Sequence, residues 1–123
     1  MALPLARSYT DLVVWQKARR LVAEVYRIGN TLPPTEWHGL KSQIGRSAVS
    51  VISNIAEGWG RGSRGELRRA VNIARGSLYE VSTQLDLTED LGLVPASELL
   101  LARSLIDEVG RMLTSLRRKL SSS

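Results

Sequence analysis

Residues 63–92 read SRGELRRAVNIARGSLYEVSTQLDLTEDLG, and the apolar spacing within them decides the fold class. Leu67, Val71, Ala74, Leu78, Val81, Leu85 and Thr88 recur at alternating intervals of four and three. That period puts all of them on one stripe of a helix, whereas a strand would need alternation at every second residue. Ser63 followed by Glu66 has the spacing of a capping box, which satisfies orphan backbone donors at a helix start. Gly92 supplies a stop. The stretch predicts a helix over 64–91 that is buried along one side.

The same spacing recurs on either side. Val14, Ala18, Leu21, Val25, Ile28 and Leu32 predict a first helix over about 11–32, capped by Thr10 or Asp11 and stopped by Pro33-Pro34. Ile44, Ala48, Val51 and Ile55 form one stripe of a second helix over about 36–59; Val49, Ile52, Ala56 and Trp59 form another. Thr35 is the expected cap of this helix, and Gly58 with Gly60 its expected end. Ala102, Ile106, Val109, Leu113, Leu116 and Leu120 mark a fourth helix over about 96–120, opening near Pro95 and Ser97. Its last turn carries Arg117, Arg118 and Lys119, favourable beside the negative end of the helix dipole, and the tail Ser121–Ser123 is expected to fray. No segment sustains strand-like alternation. Four helices joined by short turns predict an all-α, antiparallel up-down-up-down four-helix bundle, as a single domain over 1–123.

Composition agrees. Apolar residues make up 43% of the chain but aromatics only 5%, with no Phe, so the core must be built from Leu, Val, Ile and Ala. There is no cysteine, which excludes disulfides and thiolate chemistry. The opening MALPLARSYTDL lacks the apolar run of a signal peptide, and no stretch approaches the ~18 apolar residues of a membrane span. A cytoplasmic protein with no membrane partner is the expectation. The net charge of +5 is distributed in blocks: +3 over 1–60, +4 over 61–75, −5 over 76–98 and +3 over 99–123. Such blocks predict separate basic and acidic surface regions, and a basic region attracts nucleic-acid backbone or an acidic protein.

Between the second and third helices, Gly60-Arg61-Gly62-Ser63-Arg64-Gly65 fits the dinucleotide spelling G-x-G-x-x-G. That motif works only after a strand, with an acidic residue ~20 positions on for the ribose. Here it follows a helix, so it reads as a turn whose glycines tolerate positive φ. Arg61, Arg64, Arg68 and Arg69 remain to be explained, because basic residues in the first turns of a helix oppose its dipole. A helix start carrying several guanidiniums is a competent phosphate site. The expected nucleic-acid-binding residues are therefore Arg61, Arg64, Arg68, Arg69, Arg75, Arg117, Arg118 and Lys119.

Small polar residues also follow the helical period. Gln43, Ser47, Ser50, Asn54 and Glu57 line the second helix, flanked by Arg46 and Ser53, and Ala70, Ile73, Ser77, Glu80 and Gln84 line the third. Solvated faces favour long charged side chains. Small polar ones permit close backbone approach, within the bundle or between subunits, and packing is the expected role. Catalytic chemistry is not indicated: the lone histidine, His38, has no soft partner and reads as a surface or cap residue. No Glu-x-x-His pair exists for a di-iron site, and no cofactor or metal is expected.

The string Glu36-x-x-Gly39-Leu40-x-Ser42-Gln43-Ile44-x-Arg46-Ser47-Ala48 continues through Ser50-Val51-x-Ser53-Asn54-Ile55-Ala56-Glu57-Gly58 and Gly60-Arg61. It resembles the bacterial four helix bundle protein family, whose members include proteins encoded by intervening sequences in large-subunit ribosomal RNA genes. Asp11-Leu12-x-x-Trp15-Gln16-x-Ala18 and Ile73-Ala74-Arg75-Gly76-Ser77-Leu78-x-Glu80-x-x-Thr83-Gln84-Leu85 extend the likeness to roughly residues 9–92. The resemblance implies a homopentameric ring of bundles, with the polar lines available to its interfaces. A distant relative, the accessory variability protein of diversity-generating retroelements, shares the ring and a basic surface that binds nucleic acid and a reverse transcriptase. The implied role is non-enzymatic, with RNA or DNA as partner. A scaffold that docks an acidic protein is the alternative. Two positions depart from the family's habit. Gly45 stands where members often carry another basic residue, and Ile52 where many carry a proline, so any kink there should be milder.

Overall fold

The computed structural model describes residues 8–121. Four α-helices, α1 (Val13–Gly29), α2 (Leu40–Gly60), α3 (Arg64–Asp90) and α4 (Leu100–Ser121), are joined by residues 30–39, 61–63 and 91–99. Each helix packs against the next, and α4 closes the ring on α1, giving an up-down-up-down bundle. The α2–α3 contact is the most extensive of the four.

The stripes read from the sequence converge on one core. Leu21, Val25 and Ile28 of α1 meet Ile44, Val51 and Ile55 of α2, Val71, Val81 and Leu85 of α3, and Leu105, Val109 and Leu113 of α4. Burying each such side chain contributes about 1.5–3 kcal/mol. In α3 every residue of the predicted stripe is buried, Thr88 included, whose hydroxyl donates to the Leu85 carbonyl at 2.7 Å. In α4 Leu105, absent from the predicted stripe, is buried alongside Ala102, Val109 and Leu113, while the predicted Ile106 is only half-buried. The second apolar stripe of α2 lies at the core's margin, with Val49 exposed and Ile52 and Trp59 partly covered.

The helix ends differ from the sequence reading for local reasons. Ser8 and Asp11 form their own capping box around a 3-10 turn at Tyr9–Asp11, so neither Thr10 nor Asp11 caps α1, which starts beyond the extended Leu12. At the other end the backbone tightens, with Thr31 and Leu32 donating to the Ile28 and Gly29 carbonyls, and α1 stops at Gly29 rather than Leu32. Thr35 sits inside a second 3-10 turn, Pro34–Glu36, and α2 begins only after Gly39. A third such turn, Ala96–Leu99, precedes α4. Ser63 caps α3 as expected, accepting from the Glu66 amide at 3.1 Å, but the reciprocal half of the capping box does not form, and the Glu66 carboxylate lies toward Arg61 instead. Ser121 is the last residue of α4; the rest of the tail expected to fray, Ser122 and Ser123, lies outside the described residues.

Gly58 does not end α2; the helix runs through it to Gly60. A Cβ at Gly58 would lie 2.4 Å from that of Ala70 and 3.3 Å from Leu67 Cα, so the glycine exists to let α3 approach. The chain turns instead at Gly62, whose φ of +79° suits glycine alone. Ile52 stands within a continuous α2.

Candidate nucleic-acid interface

Antiparallel packing brings the start of α3 beside the end of α4, and with them the two basic segments of the chain. Arg64 makes the junction. Its Nε donates to the Leu120 carbonyl at 2.9 Å and its Nη2 to the Lys119 carbonyl at 2.5 Å. These carbonyls belong to the last turn of α4, where intrahelical donors run out and the dipole favours a cation. The expectation that local stability has no use for the arginines thus fails at Arg64, whose partner is a different helix. Arg61 is also engaged, 3.3 Å from Glu57 and 4.0 Å from Glu66.

The remaining cations divide between two faces. Arg75 and Arg118 line a groove of about 510 Å³ between α3 and α4, together with Arg111, Asp107, Tyr79, Ser82, Thr114 and Ser115. Tyr79 is 67% exposed there, a free aromatic face beside three guanidiniums. Sequence reasoning missed Arg111, although its seven-residue separation from Arg118 places both on one side of α4. Arg111 is partly neutralised by Asp107, 2.9 Å away. On the opposite side of α3, Arg61 and Arg69 line a smaller cleft with Asn54, Glu57 and Glu66. The eight expected residues therefore share one end of the bundle without forming one surface.

The acidic block is partly neutralised by arginines from other helices: Arg103 lies 2.9 Å from Asp86 and 2.7 Å from Glu89, and Arg27 contacts Glu98 at 3.6 Å, while Glu80 and Asp90 have no ion pair among the described residues. Arg27 also grips the buried Glu24 through two bonds of 2.9 and 2.7 Å, which hold that carboxyl below the usual glutamate range against the opposing effect of burial. Three of the five acids of the predicted acidic region are thus paired off. Arg68, Arg69, Arg75 and Lys119 have no carboxylate partner among the described residues, and Arg117 keeps a buried Nε without an acceptor.

The polar lines divide as well. Ser50 and Ser77 hydroxyls meet at 2.7 Å across α2 and α3, and the Asn54 amide donates to the Ser50 carbonyl and hydroxyl. Ser47 is buried and donates back to the Gln43 carbonyl at 3.0 Å. Gln43, Arg46, Glu57 and Glu80 are exposed, and Gln84 holds a buried Oε1 without a donor. His38 is exposed in the connection before α2. Among the described residues there is no cluster of three or more metal-ligating side chains, and no helix is long and apolar enough to cross a membrane.

The family profile described as 23S rRNA-intervening sequence protein matches residues 10–115. The chain belongs to the 23S rRNA-intervening sequence protein family. Its fold recurs in a solved structure of a protein of unknown function from the S23 ribosomal protein family of Bacteroides thetaiotaomicron. That protein is 21% identical, superposes with a TM-score of 0.78, and aligns over 85% of this chain and 98% of its own. At that identity the likeness shows the fold alone. No curated protein matches the chain.

Proposed function

We propose that this protein is a non-enzymatic, oligomeric four-helix bundle of the cytoplasm that associates with RNA or ribonucleoprotein through its arginine-rich end. The observation that carries the reading is the unbalanced charge at that end. Arg68, Arg69, Arg75 and Lys119 lack carboxylate partners, whereas Arg27 and Arg103, at the opposite end, each pair with two acids. The α3–α4 groove adds Arg111 and Arg118, three hydroxyl-bearing side chains and the exposed Tyr79. Guanidiniums grip phosphate while hydroxyls and an aromatic face serve sugar and base, a combination suited to a single strand. Exposed Leu87, Leu91, Leu100 and Leu101 near the α3–α4 connection support self-association, for which the pentamer implied by the family resemblance is the proposed form.

The test is RNA binding by fluorescence anisotropy across a salt series, wild type against R68E/R69E/R75E/R118E. Arg64 stays in place because it caps α4. The variant should lose affinity and flatten the salt dependence, since each phosphate contact removed lowers the slope by about 0.7–0.9. An unchanged affinity and slope would sink the proposal. Absence of RNA binding at physiological salt, with retention of an acidic protein partner, would favour the scaffold reading instead. Native mass measurement tests the assembly, and a monomer would refute the pentamer.

A further inference from the structure

At the other end of the bundle, α1 and α2 enclose a pocket of about 390 Å³ lined by Val25, Tyr26, Gly29, Trp37, Lys41, Ser42, Gly45 and Arg46. It shares no residue with the basic end. Two of its walls are aromatic and open: Tyr26 is 51% exposed and Trp37 50%. The Lys41 ammonium lies 4.9 Å from the Trp37 ring centroid, which holds a cation beside that aromatic surface. No carboxylate lines the pocket, and neither Lys41 nor Arg46 is paired with one among the described residues.

The backbone is also unusual here. Gly29 and Gly45 are both buried, and a Cβ at either would meet the wall: 3.4 Å from Lys41 Cγ at Gly29, 3.5 Å from the Tyr26 ring at Gly45. Both contacts are ordinary in length, so alanine would fit. A glycine inside α2 weakens the helix relative to alanine without being required sterically. Its effect is to let the Tyr26 ring lie close against the α2 backbone as one wall of the pocket.

Two aromatic faces, two uncompensated cations and the hydroxyls of Tyr26 and Ser42 match a planar base carrying an anion. We propose that the α1–α2 pocket binds a nucleoside monophosphate unit, with the base against Trp37 and Tyr26 and the phosphate on Lys41 and Arg46. The volume lies at the small end of the range for small-molecule sites and suits one such unit. The unit is either a free nucleotide or one nucleotide of a strand.

The test follows the indole N–H resonance of Trp37 during titration with AMP, GMP, adenosine or inorganic phosphate, the signal being assigned with W37F. AMP or GMP should shift it saturably and bind more tightly than either adenosine or phosphate alone. W37A should weaken nucleotide binding about ten-fold or more, the scale of one lost stacking contact. K41A/R46A should reduce the affinity for AMP to that for adenosine. R68E/R69E/R75E/R118E should bind the nucleotide as wild type does. A single-stranded tetranucleotide that competes at much lower concentration than AMP identifies a strand as the source; equal competition identifies the free nucleotide. Absence of a Trp37 shift, equal affinity for inorganic phosphate and AMP, or a W37A variant that changes only the assembly mass would overturn the proposal. The last outcome would make the pocket a contact between copies of the chain.

Discussion

Replacing Gly58 with alanine puts a methyl group 2.4 Å from the Ala70 methyl and 3.3 Å from Leu67 Cα. Ordinary contact begins near 3.4 Å, so α2 and α3 must separate locally by about 1 Å. No flexible side chain can absorb that displacement, because the opposing atoms are a Cβ and backbone. Overpacking of this kind costs about 1–3 kcal/mol, and the upper half of that range applies here. Alanine returns about 1 kcal/mol of helix propensity over glycine. The net expectation is a loss of about 1–2 kcal/mol, a drop in Tm of about 4–8 °C for a chain of this size. Thermal and urea unfolding of G58A measure it. The companion G58A/A70G removes the closest contact, so the pair should be coupled by about 1 kcal/mol or more. G76A is the control: nothing lies within 4 Å of a Cβ there, and the substitution should stabilise by up to about 1 kcal/mol. If G58A were as stable as wild type, close approach could not be the reason for this glycine.

Three further outcomes follow from the side-chain contacts. R64A should lose about 1–2 kcal/mol and raise amide exchange in the last turns of α4, because the Lys119 and Leu120 carbonyls lose their donors; unaltered exchange would refute the capping role. S50A or S77A should each cost about 1 kcal/mol in denaturant unfolding, with the double variant costing less than the sum, since the first change already breaks the 2.7 Å bond. Additive losses would deny the bond. Glu24 has a folded-state pKa below the ordinary 4.5, so its contribution is present above that value and is lost as pH falls through the lowered pKa. E24Q should therefore flatten the acid limb of the stability profile, and an unchanged slope below pH 4.5 would contradict the assignment.

The core was legible because helical burial is periodic. Leu67 to Thr88 could be read as a stripe without knowing what covered it, and the same holds for Val14 to Leu32. Helix ends were less legible, because Ser8–Asp11 and Pro34–Glu36 close short turns of their own and use the residues expected to cap the helices. The basic end was visible as a composition block, yet its chemistry was not. Whether Arg64 faces solvent depends on where α4 ends, 55 residues later. Likewise, the pairing of Asp86, Glu89 and Glu98 is silent in residues 76–98, because their partners, Arg27 and Arg103, come from α1 and α4. Gly58 read as a stop signal because its neighbour across the interface, Ala70, is silent in the local sequence.

The connection at 61–63 has a consequence for how the chain can be cut. Neither of the longer connections, 30–39 and 91–99, contains lysine or arginine, so trypsin has no site in them. Arg61 is exposed, non-helical and followed by Gly62, which makes the shortest connection the accessible one. A limited digest should therefore cleave between the second and third helices, the pair with the most extensive contact. Those two halves would still hold together by their shared core, migrating as one particle on a sizing column and as two bands after denaturation.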